Sequence, residues 1–408
     1  MSVPGRPKGE YRSAQHEGTA MSLPVRNAVV VAPFSPQGPA VHLGAAKKIE
    51  LVIGLLNRLG FNVHLVDSSH PLVAFAAPLN GLPCFVGATS VTLWRPWCLP
   101  NRKLGKLINV LTCAGFMRRF RGVQPAFVWV YNAYSFEARA ALYLKRHGSA
   151  RIVLELEDLP LARGRGLNPK PWLDHLFFRP LLAATDLLTC VNAALQRQFA
   201  RPGLRCLLFP SLLQQALVDA PVAPRFLSST RRLGYFGGLE VEKGAALLLE
   251  ALPRWPAGWT LCVTGVGSLA PRFADAQRRW PGRIEFHGRV ANETVLALMQ
   301  ACDAIVNPHA PISLMGDGVF PFKVCEALAS GALLISTALP PIDVDLSSSA
   351  LSFDGTTAGL LEALDRAPTF HAEHRAAIAR TRIEICERFG EAAMFKQLGT
   401  EIDAMVAA

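Results

Sequence analysis

The chain has 408 residues, half of them hydrophobic and 18% charged, with a formal net charge of +11. That length suits two or three domains with large apolar cores, and it excludes a chain that is mostly disordered. The positive surplus favours anionic partners: nucleoside diphosphates, anionic lipid headgroups or acidic glycans.

Residues 1–24 are polar, lack the apolar segment of a signal peptide and read as a flexible tail, with Met21 as an alternative start. A first domain is expected over residues 25–212. Ala28–Phe34 is a strand, Gly44–Leu59 a helix with Ile49, Val52, Ile53 and Leu56 on one face, and Asn62–Val66 a second strand. Ser68–Trp94 holds no Asp, Glu, Lys or Arg, but its prolines and glycines would break a spanning helix, so strand and loop are expected. Further strands follow at Phe127–Tyr131, Ile152–Leu156, Asp186–Val191 and Cys206–Phe209. Apolar strands alternating with helices indicate a parallel sheet covered on both faces.

Residues 213–232 form a linker rich in Pro, Ala and Ser, after which the alternation restarts. Strands are expected at Leu233–Phe236, Thr260–Thr264, Ile284–Phe286, Ala304–Val306, Ala332–Ser336 and Ala350–Phe353. Helices are expected at Lys243–Leu252, Asn292–Ala301 and Phe322–Ala329. The second domain therefore spans 233–383, and 384–408 reads as a helix packing back on the first domain. Ligands of such sheets bind at the carboxyl ends of the strands, here in the cleft between domains. The nine cysteines form no C-x-x-C pair and read as buried hydrophobes of a reducing compartment, with no metal site indicated by spacing.

Three segments carry chemistry. Gly234–Gly244 is a strand, a glycine turn at Gly237-Gly238 and a Lys243-Gly244 pair at a helix start, where backbone N–H groups and a lysine can meet a phosphate. Thr264-Gly265-Val266-Gly267 is a second strand-to-glycine turn. Phe320–Gly331 starts a helix with Pro321, Phe322 and Lys323, and sets Glu326 one turn later on an apolar run. A carboxylate there needs hydrogen-bond donors, which ribose hydroxyls would supply. In the first domain Glu155, Glu157 and Asp158 form an acidic group at a strand end. Alternation puts Glu155 and Glu157 on one side, where one of them could take a proton from an acceptor hydroxyl. His309 is expected to line the cleft, and His287 to be structural. Asp343 and Asp345 spell D-x-D, but they follow Pro340-Pro341 in a loop and are read as no metal site.

In this order and spacing the three segments, over roughly Leu233–Leu339, resemble the C-terminal domain of glycosyltransferase family 4. The resemblance implies a GT-B fold of two Rossmann-like doubly wound domains facing a cleft. It also implies a retaining glycosyltransferase that uses a nucleotide-sugar donor as substrate and no separate cofactor. By the resemblance, Lys243 binds the donor diphosphate, Glu326 the ribose, and Gly265 and Gly267 line the nucleotide pocket, with Gly237, Gly238, Phe322 and Lys323 beside them. Lys243, Glu157 and Asp158 are the expected catalytic residues. The chain departs from the family in three places. It lacks an Arg before Lys243-Gly244, it has Gly318 where a first Glu often stands, with Asp317 beside it, and it carries Glu157 and Asp158 where a His is common. A non-catalytic sugar-binding or scaffold relative and a nucleotide-sugar epimerase are the competing readings.

Between Asp67 and Glu137 there is no acidic residue, while Arg95, Arg102, Lys103, Lys106, Arg118, Arg119 and Arg121 lie inside that gap. Leu104, Leu107, Ile108 and Leu111 follow helical spacing, flanked by Trp94, Trp97, Phe116 and Phe120. Residues 94–121 are thus expected to lie on an anionic membrane, with the aromatics at headgroup level. This places a cytoplasmic enzyme peripherally on the inner face of the membrane, with a glycan or lipid-linked acceptor. No nucleic-acid module accompanies the basic stretch, so nucleic acid is not an expected partner.

Overall fold

The computed structural model describes residues 26–36, 43–72, 74–159, 169–309 and 320–408. The first domain runs β1 (Arg26–Ala32), α1 (Leu43–Arg58), β2 (Phe61–Asp67), β3 (Leu79–Val86), β4 (Thr89–Arg95), α2 (Arg102–Met117), β5 (Phe127–Tyr131), α3 (Ser135–Gly148), β6 (Arg151–Leu156), α4 (Pro169–Ala184), β7 (Leu187–Cys190), α5 (Ala193–Phe199), β8 (Arg205–Leu208) and α6 (Gln215–Val218). Its sheet has the order β3-β4-β2-β1-β5-β6-β7-β8, parallel except for β3 against β4. The central strands are buried along nearly their whole length, as a sheet covered on both faces requires.

The second domain runs β9 (Arg231–Phe236), α7 (Ala245–Ala251), β10 (Trp259–Thr264), α8 (Ala270–Arg279), β11 (Ile284–Phe286), α9 (Asn292–Gln300), β12 (Ala304–Asn307), α10 (Phe322–Ala329), β13 (Leu333–Ser336), β14 (Ala350–Ser352), α11 (Thr357–Phe389) and α12 (Glu391–Ala407). Its parallel sheet has the order β11-β10-β9-β12-β13-β14. In each sheet the first strand is flanked by its successor on one side and a later strand on the other. Such a switch point opens a crevice at the strand ends.

The C-terminal helix begins later than its sequence suggests. One helix, α11, continues to Phe389, and the chain breaks at Gly390, where a Cβ would stand 2.4 Å from the Cys386 carbonyl oxygen. Leu213 bonds both sides of the break through Leu213 N–H to Phe389 O (2.9 Å) and Glu391 N–H to Leu213 O (3.0 Å). Met394, Leu398, Ile402 and Met405 of α12 then join the apolar core of the first domain. Three ion pairs fasten the helix there: Arg26–Asp403 (2.9 Å), Arg58–Glu391 (2.8 Å) and Arg205–Glu401 (3.2 Å).

Helix α2 keeps its leucine stripe outside and turns a more polar face inward. Gly105, Asn109, Val110 and Cys113 are buried, whereas Leu104, Leu107 and Leu111 are exposed. Gly105 is needed because the ring of His70 packs under it; a Cβ there would lie 2.1 Å from the imidazole. Leu99 N–H donates to His70 Nε2 (2.8 Å), and Asn109 Nδ2 donates to Trp97 O (2.7 Å). These bonds fix the rotation of the helix. Not all the flanking aromatics stay outside as the sequence suggests. Phe116 and Phe120 are core residues, and Trp94 packs on Phe120 with ring centroids 4.3 Å apart while its indole donates to His64 (3.2 Å). The cause is that Trp94 belongs to a strand paired on both sides. Arg95 is likewise buried against Asp67 (3.2 Å) and is no surface charge. Trp97 is exposed and stacks near exposed Phe75, with centroids 5.5 Å apart.

Candidate active site

The two glycine turns of the second domain are locked into one surface. Gly237 N–H donates to Thr264 O (3.1 Å) and Leu239 N–H to Val266 O (2.8 Å). Gly265 has φ +147°, and a Cβ on it would stand 1.8 Å from the Gly237 carbonyl oxygen, so no larger residue fits. Gly244 has φ +76° and packs so tightly on Pro308, just past β12, that a Cβ would reach 1.7 Å from its carbonyl oxygen. Lys243, in a short 3-10 turn, is therefore held on fixed backbone at the mouths of β9, β10 and β12.

Lys323, at the start of α10, comes to the same place. Its Nζ lies over the ring of buried Tyr235 (4.3 Å to the centroid), whose hydroxyl donates to Gly238 O (2.7 Å). A Cβ on Gly237 would be 3.8 Å from the Lys323 side chain, and one on Gly238 would be 4.0 Å from that of Lys243. Burial, and then the Lys243 charge, push the Lys323 amine down to about 7. Two like charges beside a glycine turn repel each other unless an anion stands between them. The sequence-predicted Gly237, Gly238, Lys243, Gly265 and Lys323 are thus brought together, while Gly267 packs on the Leu239 carbonyl oxygen and Phe322 opens the helix that carries Lys323.

Glu326 reaches across to the first domain. Its carboxylate accepts from Lys47 Nζ of α1 at 2.5 Å, and Lys47 also lies 5.8 Å from the centre of the Phe322 ring. The next residue, Lys48, points the other way. It is buried and contacts Glu155 (3.0 Å), Glu157 and the Phe209 carbonyl oxygen (2.7 Å). Burial works to lower the Lys48 amine, but Glu157 and Glu155 together hold it above its ordinary value. Burial raises the Glu157 carboxyl to about 8, against the pull of Lys48 and with the push of Glu155. Lys48 thus pairs with both carboxylates, and its contact with Glu157 is the shorter.

Glu155 and Glu157 do share a side, but the side faces a buried lysine that sequence reasoning missed. The only signal was a lysine beside Ile49 on the apolar face of α1. Asn132, also missed, sits at φ +62° and accepts from Glu157 N–H (2.8 Å) and Asp158 N–H (2.9 Å), which shapes the acidic loop. His309 is buried, and its carbonyl oxygen accepts from Thr337 (2.8 Å). Asp345 is exposed and caps Ser347 N–H (2.9 Å), and Asp343 lies in the same exposed loop. Asp317 and Gly318 lie outside the described residues.

Residues 230–366 match the family model of glycosyl transferases group 1. Among solved structures, sucrose-phosphate synthase from Thermosynechococcus elongatus superposes with a TM-score of 0.69 at 15% identity, covering 94% of this chain and 100% of the other. The chain has the GT-B fold. Other GT-B structures similar to it include a UDP-forming trehalose-phosphate synthase from Burkholderia xenovorans with glucose-6-phosphate (TM-score 0.66, 16% identity, 93% and 100% covered). Anabaena HepE bound to UDP and glucose is also similar (0.64, 15%, 93% and 100%). No curated protein matches the sequence. Within the GT-B frame, the cradle of Lys243 and Lys323 lies at the β9 switch point of the C-terminal domain.

Removing the Glu326 carboxylate should weaken binding of a free nucleoside diphosphate about tenfold or more, the scale of one charge-assisted hydrogen bond. Titration calorimetry on Glu326→Ala measures this. Unchanged nucleotide affinity with altered sugar preference would overturn the expected ribose contact and assign Glu326 to the sugar.

Proposed function

We propose that this protein is a retaining glycosyltransferase that moves a hexosyl-type sugar from a nucleotide-sugar donor to a glycan or lipid-linked acceptor, in cell-surface polysaccharide or glycolipid assembly. The observation that carries the reading is the convergence of Lys243 and Lys323 on the Gly237-Gly238 turn. As the glycosidic bond breaks, negative charge builds on the leaving diphosphate. Two preorganised cations and the N-terminal N–H groups of α10 stabilise that charge without reorganisation. Glu326 holds ribose, exchanging Lys47 for hydroxyl groups. Glu157 and Asp158 face the acceptor side and hold sugar hydroxyls. The resemblance to glycosyltransferase family 4 supports retention of configuration.

Screening thermal stability against UDP-, GDP-, ADP- and CMP-sugars tests the reading, with one nucleotide class expected to stabilise the protein. No stabilisation by any of them would leave a scaffold relative. Transfer should also survive EDTA, because lysines take the place of a metal at the diphosphate. Full loss with EDTA, restored by manganese, would give Asp343 and Asp345 the role denied them here.

The acceptor side is proposed to dock on an anionic membrane from the cytoplasm. Support comes from exposed Leu104, Leu107 and Leu111 on α2, exposed Phe75 and Trp97 beside it, and exposed Arg102, Lys103, Arg118 and Arg119. No helix among the described residues is long and apolar enough to cross a membrane. Each basic residue near an anionic surface contributes about 1 kcal/mol, weakened by salt, and the leucines add a salt-insensitive part. Wild type should pellet with anionic but not neutral vesicles. The variant with Arg102, Lys103, Lys106, Arg118 and Arg119 changed to Gln should stay in the supernatant while folded. Indifference of wild type to anionic vesicles at low salt would end the idea.

A further inference from the structure

We propose that Cys262, Cys302, Glu285 and His287 bind one zinc ion at the outer edge of the second sheet. Spacing in the sequence gives no hint of it, because the ligands come from β10, the edge strand β11 and the turn before β12. Cys262 and Glu285 stand opposite each other in register on parallel strands, so their side chains leave the same face. His287 follows two residues after Glu285 on that face, its N–H bonded to Val263 O (2.9 Å). The Cys262 sulfur, a Glu285 carboxylate oxygen and a His287 ring nitrogen all lie within 4.8 Å of one another. His287 Nε2 and Glu285 Oε2 are 3.7 Å apart. Ligand atoms around a tetrahedral zinc ion with bonds of about 2.0–2.3 Å stand roughly 3.3–3.8 Å apart. Small side-chain rotations close the remainder, and His287 is exposed enough to make them.

Cys302 supplies the fourth position. Gly234, the β9 neighbour of Cys262 in register, makes room: a Cβ there would lie 3.0 Å from the Cys302 sulfur. Two sulfurs, one imidazole and one carboxylate form a set that suits zinc over magnesium or calcium. Arg232 bonds Glu285 and lies beside both thiols, which is the obvious obstacle to a cation. The charges nevertheless balance. Zinc and the guanidinium together match two thiolates and one carboxylate, and the two thiol protons leave to solvent on binding. Neither cysteine nor His287 belongs to the lysine cradle, so the ion is structural and takes no part in transfer.

The test uses the full chain. Purified protein is loaded with zinc, dialysed and assayed for metal by elemental analysis, and cobalt is then substituted for spectroscopy. The expected result is one zinc per chain and a cobalt spectrum with thiolate charge-transfer and tetrahedral bands. Cys262→Ser should lose the charge-transfer intensity. His287→Ala, at an exposed position that leaves folding intact, should weaken zinc binding by at least tenfold. Wild type that retains no zinc, or His287→Ala and Cys302→Ser variants that bind zinc like wild type, would overturn the proposal.

Discussion

Replacing Lys243 with alanine lowers turnover about a hundredfold or more, the scale of losing one preorganised contact to developing charge. Little changes in folding, because the side chain sits on a short 3-10 turn outside both cores, and the neighbouring contact of Gly244 with Pro308 is backbone. The loss falls on the chemical step more than on donor binding, since the leaving diphosphate is most charged in the transition state. Part of it is offset from within the cradle: without the Lys243 charge, the Lys323 amine rises and holds its proton more firmly. Lys323→Ala in the Lys243→Ala background should therefore cost more than Lys323→Ala alone. Steady-state rates with a saturating donor measure both. Near-normal turnover in Lys243→Ala would remove this residue from the site.

The second large effect is on pH. In the empty protein the Lys323 amine titrates at about 7, below its ordinary value because it is buried and faces Lys243. Below pH 7 it is already charged, and nucleoside diphosphate binding takes up no proton there. Above pH 7 it is neutral until the anion arrives and raises its affinity for a proton. Binding then weakens with rising pH by as much as about tenfold per unit, until the pKa of the bound state is passed. Calorimetry at pH 8 in two buffers of different ionisation enthalpy should show uptake of nearly one proton. Lys323→Met should abolish the uptake and flatten the affinity profile. Wild type without uptake at pH 8 would show that Lys323 does not face the diphosphate.

The second domain was more legible in the sequence than the first, for a physical reason. Its site is made of backbone. Glycines that must approach carbonyl oxygens, and a proline at a helix start, leave local marks that spacing preserves, so Gly237, Gly265 and the start of α10 could be placed. The first-domain site depends on side chains meeting from distant elements. Nothing near Glu157 in sequence points to Lys48, and nothing near Glu326 points to Lys47. The same limit hid the burial of Trp94, Arg95 and Phe120, and it hid the cysteine cluster. Periodicity found the apolar stripe of α2 but could not say whether it faced the core. That was settled by His70 under Gly105, a contact between residues 35 positions apart.

The return of α12 to the first domain bears on how this protein is made. Synthesis passes through β1 long before α12, so Met394, Leu398, Ile402 and Met405, which pack into the first-domain core, leave the ribosome only after the whole second sheet. Until then the patch they cover stays open to water, and the ion pairs of Arg26, Arg58 and Arg205 wait for partners in residues 391–403. The second domain can finish its own inner core while the first is still ajar. Closure of the first sheet thus waits on a helix from beyond the second, and the nascent chain carries an exposed apolar surface until α12 emerges.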